Sequence, residues 1–359
     1  MIDRFFILLI VVLSISAERS RTRIPTNEEA SCPSKCRCDR TNIDCRGSRH
    51  TSDVFRQIQS KAFPYLETLI FTGSNFGDIS NNIFETTSLN SLSSVNLTDN
   101  DITEISSETF KNSQAIEYLH LNKNEIKKAG KDTFRYLQRL RRLDLNEALG
   151  IRSGQSKADL LSLMFDASSP TSHPELTEIN LNNNHISMLH NDTFCRVSGL
   201  LKLDLANNNL SSFSVSPNCL QSLKALDLSG NNFTTIPASL WESLPVLTSL
   251  DISNNPLQCD CSLEPFLHIA KSENNDFMNQ GHTYCAGPAN LKGQNLFELR
   301  INLCQTSGYG FGTFLILLLL GATVLFGYRR FRRNNNHGPP FQFGYSGLNI
   351  DDEVQPEFV

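Results

Sequence analysis

Ten cysteines carry most of the reactive chemistry in this chain of 359 residues. They fall into groups of four, two and four: Cys32, Cys36, Cys38 and Cys45; Cys195 and Cys219; and Cys259, Cys261, Cys285 and Cys304. Thiols at such short spacings either hold a metal or pair as disulfides, and the compartment decides between the two. Asp3 and Arg4, the apolar run Phe5 to Ile15, and small Ser16 and Ala17 predict a secretory signal peptide over residues 1–17, followed by a linker over 18–31. The thiols then meet an oxidising environment, so disulfides are expected, with no metal and no other cofactor.

Catalytic chemistry has no comparable support. The sequence holds no GxSxG, HExxH, phosphate-binding loop or dinucleotide fingerprint, and His185 and His190, five apart, fit an ordinary solvated turn. We therefore expect a binding protein and not an enzyme. The formal net charge of −5 is modest, and the one basic cluster is confined to Arg329, Arg330, Arg332 and Arg333, so a nucleic-acid partner is not implied. Asn96, Asn191, Asn209 and Asn232 each precede a serine or threonine by two residues, the acceptor pattern for N-glycosylation.

The elements that must position these groups come from a repeat. LxxLxLxxNxL recurs from Leu66, Leu92, Ile116, Leu140, Leu176, Leu200, Leu223 and Leu247, the period of a leucine-rich-repeat solenoid. Each unit supplies a short strand and a returning arc, and neither buries its apolar face without a neighbour. The fold class expected is a curved horseshoe with a parallel β-sheet on its concave face and an irregular or short-helical convex side. Asn100, Asn124, Asn184, Asn208, Asn231 and Asn255 should form a hydrogen-bonded ladder at the bends, weakened where Ser74 and Ala148 replace asparagine. The fourth repeat is long, leaving an insertion at about 148–175 that is expected to bulge from the arc, with Leu160, Leu161, Leu163, Met164 and Phe165 packing part of it down. Cys195 and Cys219 stand five and four residues before consecutive repeat starts, so they should staple two coils.

The repeats occupy 66–257, between cysteine caps at 32–65 and 258–305 that close the open ends of the stack. An uncharged segment, 306–328, is long enough to cross a ~30 Å hydrocarbon layer, and the arginines after it place residues 329–359 in the cytosol. The expected product is a single-pass type I plasma-membrane protein with its repeats outside the cell. In the tail, Tyr345 and Leu348 match the YxxΦ pattern read by endocytic adaptors, and Val359 supplies a C-terminal anchor for a PDZ-type protein.

At the central concave slot the strands read Ile70, Asn96, His120, Asp144, Asn180, Asp204, Asp227 and Asp251. The middle is the most varied part, and Tyr118, His120, Lys123, Arg141, Arg142 and Asp144 are the residues expected to contact an extracellular protein ligand or co-receptor. A glycan on Asn96 would obstruct the second repeat, so binding is expected away from it.

CPSKCRC followed by Cys45, and NPLQCDC at Asn255 to Cys261, resemble the N- and C-terminal flanking modules of extracellular leucine-rich-repeat membrane glycoproteins. That resemblance implies the pairs Cys32–Cys38, Cys36–Cys45, Cys259–Cys285 and Cys261–Cys304. The repeat number, the interrupted middle repeats, the span soon after Cys304 and the short tail ending in valine resemble the trophoblast-glycoprotein branch, which implies inhibition of Wnt/β-catenin signalling. An adhesion or organising protein with a scaffold-docking tail is the alternative.

Overall fold

The computed structural model describes residues 32–59, 61–84, 89–166, 168, 173–270, 276–300, 302–304 and 309–334. The signal peptide, the linker and the tail residues Tyr345, Leu348 and Val359 lie outside them. The chain forms two units, meeting at Leu303 and Cys304.

In the first unit an eleven-stranded sheet runs along the repeats. Its strands are β1 (Arg37–Cys38), β2 (Asn42–Arg46), β3 (Thr68–Thr72), β4 (Ser94–Asn96), β5 (Tyr118–His120), β6 (Arg142–Asp144), β7 (Glu178–Asn180), β8 (Lys202–Asp204), β9 (Ala225–Asp227), β10 (Ser249–Asp251) and β11 (Asp276–Met278). Only β1 and β2 are antiparallel; every later pairing is parallel and in step, with Leu203 beside Ile179 and Leu226. Alternation explains the strands: Leu203 is fully buried while Lys202 and Asp204 on either side of it face outward. The buried leucines and phenylalanines form one continuous core from Ile43 to Leu299.

The asparagine ladder is built as the repeat requires. Asn208 Oδ1 accepts from the amides of Asn184 and Ile186 at 3.0 and 2.9 Å, and its Nδ2 donates to the carbonyls of Leu181, Leu205 and Ala206. Neither break leaves an open bend. Ser74 Oγ accepts from the His50 amide at 3.2 Å. At Ala148 the backbone substitutes: Ile126 N donates to Ala148 O at 2.8 Å, where one coil earlier Ile102 N uses Asn124 Oδ1.

The described part of the insertion packs down onto the stack, as expected of Leu160, Leu161, Met164 and Phe165 but not of Leu163. Residues Gly154–Met164 form helix α1, with Ala158, Leu160, Leu161, Met164 and the following Phe165 buried and Leu163 exposed. Phe165 stands between Phe134 and Phe194, with ring centroids 5.7 and 5.2 Å away, so it is the fourth repeat's member of the convex phenylalanine row. The extra residues are absorbed because a helix advances about 1.5 Å per residue where an extended arc advances more than twice that. The amides of Asp132 and Thr133 donate to the carbonyls of Leu163 and Met164, and His190 meets Asp159 at 2.8 Å, tying α1 to the coils on both sides.

Among the described residues the other α-helices of this unit are α2 (Ser239–Ser243) and α3 (Glu264–Ala270). Disulfides join Cys32 to Cys38 and Cys36 to Cys45 in the first cap, and Cys259 to Cys285 in the second. Cys195 and Cys219 bridge neighbouring coils with Cα atoms 4.5 Å apart. Cys261 and Cys304 are also disulfide-bonded, and no cysteine among the described residues is free.

In the second unit, helix α4 (Tyr309–Asn334) is long and apolar enough over Phe314–Arg333 to cross a membrane. It does not stop at Tyr328, the end expected from the uncharged segment, but continues through the arginines. Long cationic side chains tolerate this because their heads reach the interface while their stems stay on the helix.

Candidate functional site

Six of the eight central slots share one local geometry. The side-chain oxygen of Asn96, Asp144, Asn180, Asp204, Asp227 or Asp251 accepts from the amide two residues later, at 2.9 to 3.2 Å. Asparagine and aspartate suit this slot because each can stop its strand in an Asx turn. The exceptions are Ile70 and His120.

Strands β5 and β6 pair Tyr118 with Arg142 and His120 with Asp144. Four of the six expected contact residues therefore stand on two adjacent strands. Tyr118 is 40% exposed, a large ring in the open face. Arg142 lies 3.5 Å from Glu178 and Arg141 3.6 Å from Glu117, so the arginines are held upright by carboxylates on adjacent coils. His120 Nδ1 is 3.5 Å from Asp144 Oδ2. Burial disfavours the Asp144 carboxylate, yet the His120 contact, the Asn146 amide and nearby Arg142 outweigh it and hold its pKa below the ordinary value. Asp144 is only 7% exposed, with its carboxylate turned to His120 and to the Asn146 amide at the end of the strand. Lys123 is not on the strand at all. It sits at the following turn with φ +52°, on the edge of the sheet.

The same register places Asn96 directly beside His120. A glycan there would overhang the residues expected to make contact. Asn191, Asn209 and Asn232 are exposed on loops.

Among the described residues one trio has metal-like spacing: Cys36, Cys45 and His50, whose ligand atoms lie within 4.8 Å of one another. Both sulfurs are consumed by a disulfide, which leaves no thiolate to ligate. Sequence reasoning missed Asn122, whose Oδ1 is buried without a hydrogen-bond partner beside the patch. No composition signal could have found it, because its isolation is created by the residue one coil away.

The acidic C-terminal slots make a pH prediction. Burial pushes the Asp227 carboxyl above its ordinary value of 3.8, Ser229 works against this, and Asp251 and Asp204 add to it. An acid with a raised folded pKa binds its proton more tightly in the folded state, so its contribution to stability is lost as pH rises from 3.8 through the raised value. Asp227→Asn should therefore raise the melting temperature at neutral pH, with the gain vanishing below that window. Asparagine keeps the turn, as Asn96 and Asn180 show. Calorimetry across pH checks this; an unchanged or lower melting temperature at neutral pH refutes it.

Comparison with known proteins agrees with this architecture. The leucine-rich-repeat family model matches residues 90–147, 174–224 and 215–257, leaving out the segment that holds α1. A phospholipase A2 inhibitor of Gloydius brevicaudus siniticus is 34% identical over 95 residues, 26% of this chain and 28% of that protein. CD180 antigen of Mus musculus is 28% identical over 142 residues, 39% of this chain and 21% of that protein. The chain thus matches less than a third of the length of either relative. The crystal structure of human 5T4 (Wnt-activated inhibitory factor 1, trophoblast glycoprotein) superposes with a TM-score of 0.65 at 21% identity, covering 79% of this chain and all of that one. With the parallel sheet, the asparagine ladder and the disulfides at either end of the repeats, these likenesses identify the chain as a leucine-rich-repeat solenoid with disulfide-bonded caps.

Proposed function

We propose that this protein is a type I cell-surface glycoprotein whose repeats bind an extracellular protein or co-receptor and modulate its signalling, with Wnt/β-catenin signalling as the pathway. The observation that carries the reading is the open concave face: ten strand spacings at ~4.8 Å span roughly 48 Å, the scale of a protein partner and not of a small molecule. Within it Tyr118, flanked by Arg141 and Arg142, has the composition of an interface anchor. The membrane assignment rests on α4 and the arginines at its end, and the named pathway rests on the resemblance to trophoblast glycoprotein. The tail motifs at Tyr345, Leu348 and Val359 would serve sorting or scaffold docking.

The test is a Wnt-responsive β-catenin reporter in cells expressing the full chain at measured surface levels. Suppression is expected, with Tyr118→Ala and Arg142→Ala weakening it at equal expression. Asn96→Gln should strengthen it, because the glycan beside His120 is removed. No suppression by the wild-type chain sinks the Wnt reading, and suppression insensitive to Tyr118 and Arg142 moves the contact off this face.

A further inference from the structure

Helix α4 keeps its course through the arginines, and that continuity sets both their depth and their facing. At about 1.5 Å per residue, Tyr309 to Tyr328 rises roughly 30 Å, the thickness of the hydrocarbon layer. Arg329, Arg330, Arg332 and Arg333 occupy the next ~7 Å of the same helix, the depth of the polar headgroup layer on one side of a bilayer. A chain that left the helix at Tyr328 would let the four cations disperse into water. The helix gathers them instead.

At about 100° per residue the four arginines fill an arc of about 160° on one side of the helix, and Phe331 stands diametrically opposite its centre. Phe331 and Tyr328 are exposed aromatic rings at the level where hydrocarbon meets headgroups, the depth at which such rings anchor a span. All four arginines are exposed, and α4 carries no carboxylate to neutralise them. Arg329 has Arg332 and Arg333 three and four residues on, and Arg330 has Arg333 three residues on. Like charges at these spacings destabilise a helix, and a polyanion lying among them removes that repulsion.

We infer that the end of α4 binds the headgroup of a polyphosphorylated inositol lipid in the cytosolic leaflet, an inference that rests on α4 spanning the membrane with its arginines inside the cell. Topology alone needs cations near the span; it does not need four of them on one side of a continuing helix. A guanidinium offers phosphate two N–H donors in a planar fork, which an ammonium group does not. A headgroup with a single phosphate engages one or two of the four arginines, whereas an inositol ring bearing further phosphates can meet the whole arc. Clusters of at least four basic residues just inside a span attract anionic lipids in this way.

The test uses the full chain, purified in detergent and mixed with equal amounts of phosphatidylinositol bisphosphate, phosphatidylserine and phosphatidylcholine, with the retained lipids counted by native mass spectrometry. Wild type should retain the phosphoinositide about tenfold or more over either of the others. Arg332→Gln together with Arg333→Gln leaves Arg329 and Arg330 to hold the topology and should lower that retention by about tenfold or more, two cations being lost from the site. Lys61→Gln together with Arg139→Gln, which removes two exposed cations of the first unit, should leave it unchanged. Equal retention of the three lipids, a preference for phosphatidylserine, or retention indifferent to Arg332 and Arg333 overturns the proposal. Alkaline carbonate washing of membranes from cells expressing the chain keeps two failures apart. A chain that washes off sinks the membrane reading and the lipid site with it, whereas a chain that stays but shows no preference sinks the lipid site alone.

Discussion

Asn208→Ala will destabilise the repeats by about 3–5 kcal/mol, although it removes only one small amide, because each buried group left unpaired costs about 1–3 kcal/mol less whatever water recovers. Two amides, Asn184 N and Ile186 N, lose their acceptor, and the carbonyls of Leu181, Leu205 and Ala206 lose a donor. The loss is local first, since each coil of a solenoid touches only its neighbours. Hydrogen exchange should therefore show the amides of Asn184 and Ile186 losing protection before those of the caps, with denaturant unfolding giving the magnitude. Asn208→Asp separates the two halves of the argument: it keeps an acceptor oxygen, removes the donor and buries a charge, so it should cost at least as much. A variant within about 0.5 kcal/mol of wild type, the range of surface substitutions, would mean that the ladder is ornamental.

The ladder was legible in the sequence because both its terms are local: a fixed spacing, and a side chain that donates and accepts. Strand register followed equally well, since one leucine per coil facing inward fixes every neighbour on the pleat. The placement of the residues expected to make contact was only half legible. Tyr118, His120, Arg142 and Asp144 came together because register aligns them, whereas Lys123 fell at the turn after its strand and Asp144 lies buried beside His120. The recurrence of asparagine and aspartate at the central slot acquired a local meaning only in the structure, as a row of strand-ending Asx turns. The unpaired Asn122 oxygen could not be read from composition, because the relevant fact is a missing amide one coil away. Helix α1 escaped recognition for a different reason. Lys157, only 2% exposed, lies in its buried stripe with Nζ donating to Asn184 O, and Leu163 lies on its open side, so the helical period is blurred at two positions.

The inserted segment makes the second large effect. Phe165→Ala should cost about 3–5 kcal/mol, the range for deleting a fully buried aromatic ring whose surroundings collapse only in part. Phe165 is 1% exposed and is the link between Phe134 and Phe194, so its loss opens a cavity in the convex row and cuts a run of ring contacts. The effect should spread to α1 as a unit. With its C-terminal anchor gone, the amides of Asp132 and Thr133, which donate to Leu163 O and Met164 O, should exchange faster. Leu163→Ala on the exposed face is the control, with a change within about 0.5 kcal/mol. If the segment were a decoration looped out from the arc, both substitutions would be nearly neutral and the amides of Asp132 and Thr133 would not notice either. A large Phe165 effect beside a small Leu163 effect requires instead that the extra residues of repeat four are its convex wall, completing the core between repeats three and five.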